Sequence, residues 1–192
     1  DHKMDQQELP TNGIYDLKSL KDAISAGKRF QFACFWEVSK PNGVCSQWSH
    51  HSFTIDGHKY SCAEQYMMAE KARFFNDADT LDQILKTRDP RTMKKLGRLV
   101  RNFNPEQWNS VKSDIVFNGN LHKFSQNKQL HDFILSLPKD TVFVEASPHD
   151  NVWGIGLRAN DADAQDPFKW KGINLLGFAI TKARDHLLRN NL

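Results

Sequence analysis

A helix-rich α+β single domain with a small antiparallel sheet is the fold this sequence predicts. Three observations predict it. Cap-forming residues and prolines recur just before segments whose apolar residues keep helical spacing. An aromatic, alternating stretch surrounds a tight-turn dipeptide, Asp56-Gly57. The 192 residues suit one core, burying about 70% of the surface an unfolded chain exposes.

The elements follow in chain order. Residues 1–15 are polar and expected to be mobile. Asp16 to Ala26 reads as a short helix with Leu17, Leu20 and Ile24 on one side and Gly27 as its stop. Phe30, Phe32 and Cys34 alternate with Gln31, Ala33 and Phe35, and a second extended stretch runs from Trp48 to Ile55 before the turn into Lys59-Tyr60. These form the expected sheet. Ser61 and Glu64 read as a capping box opening a helix to about Phe75. Further helices are expected from Asp79, Pro90, Pro105 and Lys128, the last ended by Pro138. Thr141 to Ala146 is a short strand, and Asn174 is expected to cap a final helix carrying Leu176, Ala179, Ile180 and Leu187.

Composition narrows the function classes. Lys and Arg number 26 against 23 Asp and Glu, too even a balance to predict nucleic-acid binding from net charge alone. No run approaches the ~20 apolar residues of a membrane span. Three cysteines without a CxxC pair fit a reducing compartment, so an intracellular protein, cytoplasmic or nuclear, is expected. No GxxxxGK[ST] or GxGxxG is present, which argues against a P-loop or Rossmann nucleotide site. His50, His51, His58 and Cys62 lack zinc spacing, and no metal is expected. Cys62, placed at the first helical position, is expected to have a lowered thiol pKa.

Two constellations carry chemistry. Glu64 and Lys71 are seven residues apart, two helical turns, so a carboxylate and an amine share one face with Met67 and Met68 between them. Such a pair can stabilise charge, move protons or supply an amine nucleophile; a capping glutamate and a solvated lysine give the same pattern. Asp150 and Trp153 lie in a loop between a strand and Gly154 and Gly156, where backbone can approach a ligand and an aromatic face can meet a base or sugar. Glu145, at the end of that strand, reads as a buried partner of the loop. Arg91, Lys94, Lys95, Arg98 and Arg101 form a basic stripe suited to phosphate or simply to water.

In order along the chain stand Gly57-His-Lys-Tyr60, Ser61-Cys-Ala-Glu64, Glu70-Lys71-Ala72, Leu96-Gly-Arg98, Trp108, Lys123-Phe124-Ser-Gln-Asn127, Val144-Glu-Ala146 with Asp150, Trp153-Gly-Ile-Gly156, and Trp170-Lys-Gly172 with Asn174-Leu-Leu-Gly177. This ordered set resembles the NADAR domain (YbiA-like) family over roughly Phe32 to Leu188. One motif departs from it. Where the family carries a Leu-Ser-Asn-Phe-like motif, this chain has Cys45-Ser-Gln-Trp48, which keeps Ser46 and alters the contacts around it.

The resemblance implies a YbiA-like fold, with residues 1–28 an N-terminal extension carrying a short helix and 29–192 a NADAR-like catalytic domain. It implies an N-glycosidic bond hydrolase that removes ADP-ribose from ADP-ribosylated guanine in DNA, RNA or a nucleoside, with ADP-ribose as product. Alternatives are an N-glycosidase acting on riboflavin-biosynthesis intermediates and a non-catalytic ADP-ribose-binding module. Carried over by position, Glu64, Lys71 and Asp150 form the catalytic group. Ser46, Trp48, Arg98, Trp108, Trp153, Gly154 and Asn174 are the expected substrate contacts. Neither cofactor nor metal is implied, and a monomer without membrane partners is expected.

Overall fold

The structure, a computed structural model, describes residues 11–190. Its α-helices are α1 (Leu17–Ser25), α2 (Ala63–Phe74), α3 (Ala78–Lys86), α4 (Pro90–Arg98), α5 (Pro105–Gln126), α6 (Lys128–Ser136) and α7 (Leu175–Asn190). Four short strands accompany them: β1 (Gln31–Phe35), β2 (Phe53–Ile55), β3 (His58–Tyr60) and β4 (Thr141–Glu145). The helix-rich α+β class expected from sequence is the class observed.

The sheet differs in detail. β2 and β3 form the antiparallel hairpin, closed by Asp56 and Gly57 with φ of 51° and 80°, the paired positive values of a tight hairpin turn. β1 does not join it. It pairs in parallel with β4, Phe35 opposite Glu145. Parallel strands are covered on both faces, and β4 shows this by alternation: Phe143 belongs to the helical core with Tyr66, Met93 and Phe124. Val142 and Val144 face a second core built from Leu20, Ile155 and Phe178.

Caps explain most helix starts. Asp16 accepts from the N–H of Ser19, Asp77 from Thr80, Asp89 from Arg91 and Asn104 from Gln107. Pro90 and Pro105 occupy first-turn positions that need no N–H donor. α6, with Asn127 at its N-cap, and α2 lack such a bond. The N-cap of α2 is Cys62, and the reach back to Ser61 N–H comes from Gln65 Oε1 at 2.7 Å. The expected Ser61–Glu64 box is therefore replaced by a Gln65 clamp, and Glu64 is released from capping.

What α2 does instead is run through the core. Residues 63–69 are consecutively buried, the mark of a helix enclosed on all sides. Close crossings make room for it. A Cβ at Gly97 of α4 would sit 1.9 Å from Met68 Sδ, and one at Gly119 of α5 would sit 2.8 Å from the Tyr66 ring. Either glycine replaced by alanine would push those helices off α2.

The N-terminal stretch is also more ordered than its polarity suggests. Thr11 and Tyr15 donate hydroxyl hydrogen bonds to Asp185 of α7, and Ile14 and Leu20 are buried in the second core. Mobility was expected across 1–15. Residues 11–15 are instead tied to α7, and 1–10 lie outside the described residues.

Candidate active site

Because α2 is enclosed, Glu64 is only 5% exposed. Its N–H donates to Gln47 O at 3.0 Å, which docks the Cys45–Trp48 loop onto the start of α2. Its carboxylate makes no hydrogen bond among the described residues. Burial pushes the Glu64 carboxyl up to about 7, reinforced by the negative charge of Asp150 and opposed by Lys94, Lys71 and Arg98. These residues are thus close enough to Glu64 to act on its charge.

Lys71 lies two turns further along α2, half-buried. Its ammonium sits 4.6 Å from the Phe103 ring centroid and 5.7 Å from that of Trp108. Aromatic faces can hold a cation there. Burial lowers the Lys71 pKa, Glu64 raises it, and Arg98 lowers it further. The net downward shift enlarges the neutral, nucleophilic fraction of the amine.

From the other side, the loop after β4 brings carboxylates to the same place. Asp150 Oδ1 accepts from the N–H groups of Val152 and Trp153 at 2.9 and 2.8 Å, a local turn that fixes its position. Glu145, the last residue of β4, has its Oε2 buried without a hydrogen-bond partner. Burial drives the Glu145 carboxyl up to about 8, helped by Asp150 and Glu64 and opposed by Lys94. At neutral pH Glu145 therefore keeps its proton. Asp150 and Glu145 thus lie near Glu64 from the β4 side, with Lys94 acting on both Glu64 and Glu145, and Lys71 and Arg98 acting on Glu64.

The remaining predicted contacts divide. Trp108 is buried beside Lys71, and Trp153 is half-buried with Lys112 Nζ 5.7 Å from its ring. Arg98 is exposed on its side chain yet acts on both Glu64 and Lys71. Gly154 packs where a Cβ would meet Glu145 O at 2.7 Å and Glu145 Oε2 at 3.2 Å, so its smallness lets the loop close over that carboxyl. Ser46 Oγ accepts from Trp48 N–H, and Ser46 O accepts from Lys123; Trp48 is half-buried.

Asn174 is the exception. It is fully buried, its φ is +54°, and its amide accepts from Glu145 N–H and donates to Phe143 O. Its carbonyl accepts from Phe178 N–H at the start of α7, while its side-chain amide is taken up by β4 and not by the first turn of that helix. It extends the β4 edge and so holds the Glu145 backbone.

Lys123 escaped notice in the sequence except as part of a motif. It is completely buried on α5, and its Nζ donates to Ser46 O at 2.9 Å. Burial lowers its pKa to about 8. A lysine inside an otherwise amphipathic helix pattern carries no local signal of this kind. The cysteine expectation fails as well: burial pushes the Cys62 thiol up, and Cys45 to about 12, so neither supplies a ready thiolate. Among the described residues no group of three or more His, Cys, Asp and Glu side chains converges as a metal site.

A buried carboxylate cluster with an adjacent amine and aromatic walls defines a class suited to proton transfer and to stabilising a cationic sugar. Residues 34–188 match the NADAR domain, and the chain belongs to that family. It is 44% identical over 147 residues to an N-glycosidase of Acanthamoeba polyphaga mimivirus, covering 74% of this chain and 86% of that protein. It is 28% identical over 165 residues to the chloroplastic riboflavin biosynthesis protein PYRR of Zea mays, covering 80% of this chain but 24% of that protein. In fold it matches the NMR structure of Escherichia coli YbiA with a TM-score of 0.68 at 24% identity, over 85% of this chain and 89% of that one. The family match and the mimivirus relative support N-glycosidase activity, and the YbiA likeness shows the fold.

Proposed function

We propose that the chain removes ADP-ribose from ADP-ribosylated guanine by hydrolysing the bond between ribose C1″ and the base nitrogen. The observation that supports this reading is the approach of Lys71, Asp150 and Glu145 to the buried Glu64 of α2, the first along the helix and the other two from the β4 side. Breaking the C1″–N bond leaves positive charge on the sugar and sends an electron pair to the base. An ionised Glu64 stabilises the sugar cation and accepts a proton from the attacking water. The departing nitrogen takes a proton from the protonated member of the cluster, the role for which a carboxyl held neutral at pH 7 is suited. Water oxygen ends on C1″, and the products are free ADP-ribose and the unmodified guanine.

Lys71 enters in one of two ways. As an ammonium it donates to a ring oxygen; as a neutral amine it attacks C1″ of the opened sugar, and the C1″–N bond to guanine breaks with the base leaving protonated. Water then hydrolyses the resulting Schiff base to release ADP-ribose and free Lys71. Borohydride added during turnover reduces a Schiff base to a stable adduct on Lys71, visible as a mass increase; an unmodified Lys71 leaves the ammonium role. The primary experiment treats an oligonucleotide bearing ADP-ribosyl guanine with the protein and follows released ADP-ribose by mass spectrometry. Absence of release by the wild-type protein overturns the proposal.

A second substrate is favoured by the likeness to the riboflavin biosynthesis protein. The same cluster can cleave the N-glycosidic bond of a small ribosylated intermediate of that class. Faster turnover of such an intermediate than of the modified oligonucleotide would select it.

A further inference from the structure

A cleft of about 650 Å³ opens beside the β2–β3 hairpin and the end of α3. Its walls include Lys59, Lys86, Arg88, Ser61 and Thr87, and its lining contains no carboxylate. Gln65 lies against it with its amide already used: Nε2 donates to Ile84 O and Thr87 O, and Oε1 accepts from Ser61 N–H and Oγ. Two of the carbonyls at the end of α3 that would repel an anion, those of Ile84 and Thr87, are thereby covered. Lys86 has a surface partner in Asp82 at 2.8 Å. Lys59 and Arg88 have no carboxylate partner among the described residues. By contrast Arg73, Arg101 and Arg184 are all paired with acids.

Cations lining a concave surface without acids suit phosphate oxygens, and an arginine offers them a bidentate fork. The basic character continues beyond the cleft. From Arg88 the chain enters α4, which carries Arg91, Lys94, Lys95 and Arg98 and no acid between its ends, with Asp89 as its N-cap. Lys94 and Arg98 at its far end act on the charge of Glu64. Along the chain, basic residues thus run from Arg88 at the cleft to Lys94 and Arg98 near Glu64.

We propose that this cleft binds the phosphodiester groups of a nucleic-acid strand whose modified base lies at the Glu64 cluster. The inference rests on the reading above and names its substrate form as a strand. A free nucleoside would have no use for the cleft.

The test measures binding and turnover separately. A labelled single-stranded oligonucleotide is titrated by fluorescence anisotropy at several salt concentrations against wild type and the double variant Lys59→Gln/Arg88→Gln. Both residues are exposed, and circular dichroism confirms an unchanged fold. Affinity is expected to fall about tenfold or more, and the salt slope by about 1.4, for two lost single-strand contacts. Turnover of a small ADP-ribosylated guanosine stays unchanged. Strand affinity and salt slope equal to wild type overturn the proposal. Inorganic pyrophosphate, titrated alongside, then reports whether free phosphate is the true occupant. Because strand binding is also read with Glu64→Gln protein, a failure of hydrolysis is distinguishable from a failure of the cleft.

Discussion

Arg184 and Asp185 are completely buried, and Glu64 nearly so, yet the fold treats the two regions differently. Arg184 Nε donates to Asp185 at 2.9 Å, and its guanidinium also reaches the carbonyls of Pro138 and Thr141. Asp185 accepts further from Thr11 and Tyr15. Charge there is matched bond for bond, joining the start of the described chain, the turn before β4 and α7. Around Glu64 the balance is different: Asp150 is held only by the N–H groups of Val152 and Trp153, the Glu64 carboxylate makes no hydrogen bond among the described residues, and Glu145 Oε2 is buried with no partner at all. A buried polar group left unmatched costs about 1–3 kcal/mol. The saturated pair looks like architecture; the unsatisfied cluster looks like a site awaiting a substrate.

Removing Arg184 should have the largest effect. Arg184→Met leaves Asp185 buried and uncompensated, and a loss of about 3–5 kcal/mol in urea unfolding is expected. Activity per folded molecule should persist, since Arg184 touches none of the cluster. A stability loss below about 1 kcal/mol would break the contrast between the two regions.

Glu64→Gln should do the reverse. Hydrolysis should fall on the order of 10²-fold or more, about 2.7 kcal/mol of barrier, with thermal stability equal or higher. Equal release of ADP-ribose by this variant would take Glu64 out of the mechanism.

The third prediction concerns pH. Above about pH 4.5 an unfolded chain has lost the Glu145 proton, while the folded chain keeps it to about pH 8. The folded state then binds more protons, so rising pH favours unfolding across that window. Glu64 adds to this between about pH 4.5 and 7. Glu145→Gln should therefore be more stable than wild type at pH 8, by on the order of 1–3 kcal/mol, with the gap closing near pH 4.5. Urea midpoints measured across that range check it, and a gap independent of pH would rule out a retained proton.

The contrast also shows what a sequence can announce. Asp89-Pro90 and Asn104-Pro105 declare their helices because cap and helix are adjacent in the chain. The α2 capping box was misleading for the same local reason: Gln65, one residue beyond Glu64, makes the bond, and only packing around α2 decides which side chain turns inward. The parallel pairing of β1 with β4 joins segments about a hundred residues apart and leaves no local trace. Glu64, Lys71 and Asp150 could be nominated from spacing and motif order. The orphaned oxygen of Glu145, the inward face of Lys123 and the Arg184–Asp185 pair depend on enclosure by distant elements.

Tyr15→Phe is the smallest test and the sharpest check on saturation. The Tyr15 hydroxyl donates to Asp185 at 2.9 Å and accepts from Arg189 at 3.3 Å. Its removal leaves Asp185 with Thr11 and Arg184 as partners. If the region is architecture with redundant bonds, the cost should be about 1 kcal/mol, read as a shift in the urea midpoint with an unchanged slope. Hydrolysis should be unaffected. A loss as large as that of Arg184→Met would mean the pair depends on each donor. A change in turnover would mean that α7 and the start of the described chain are coupled to the Glu64 cluster, and the two regions would have to be treated as one.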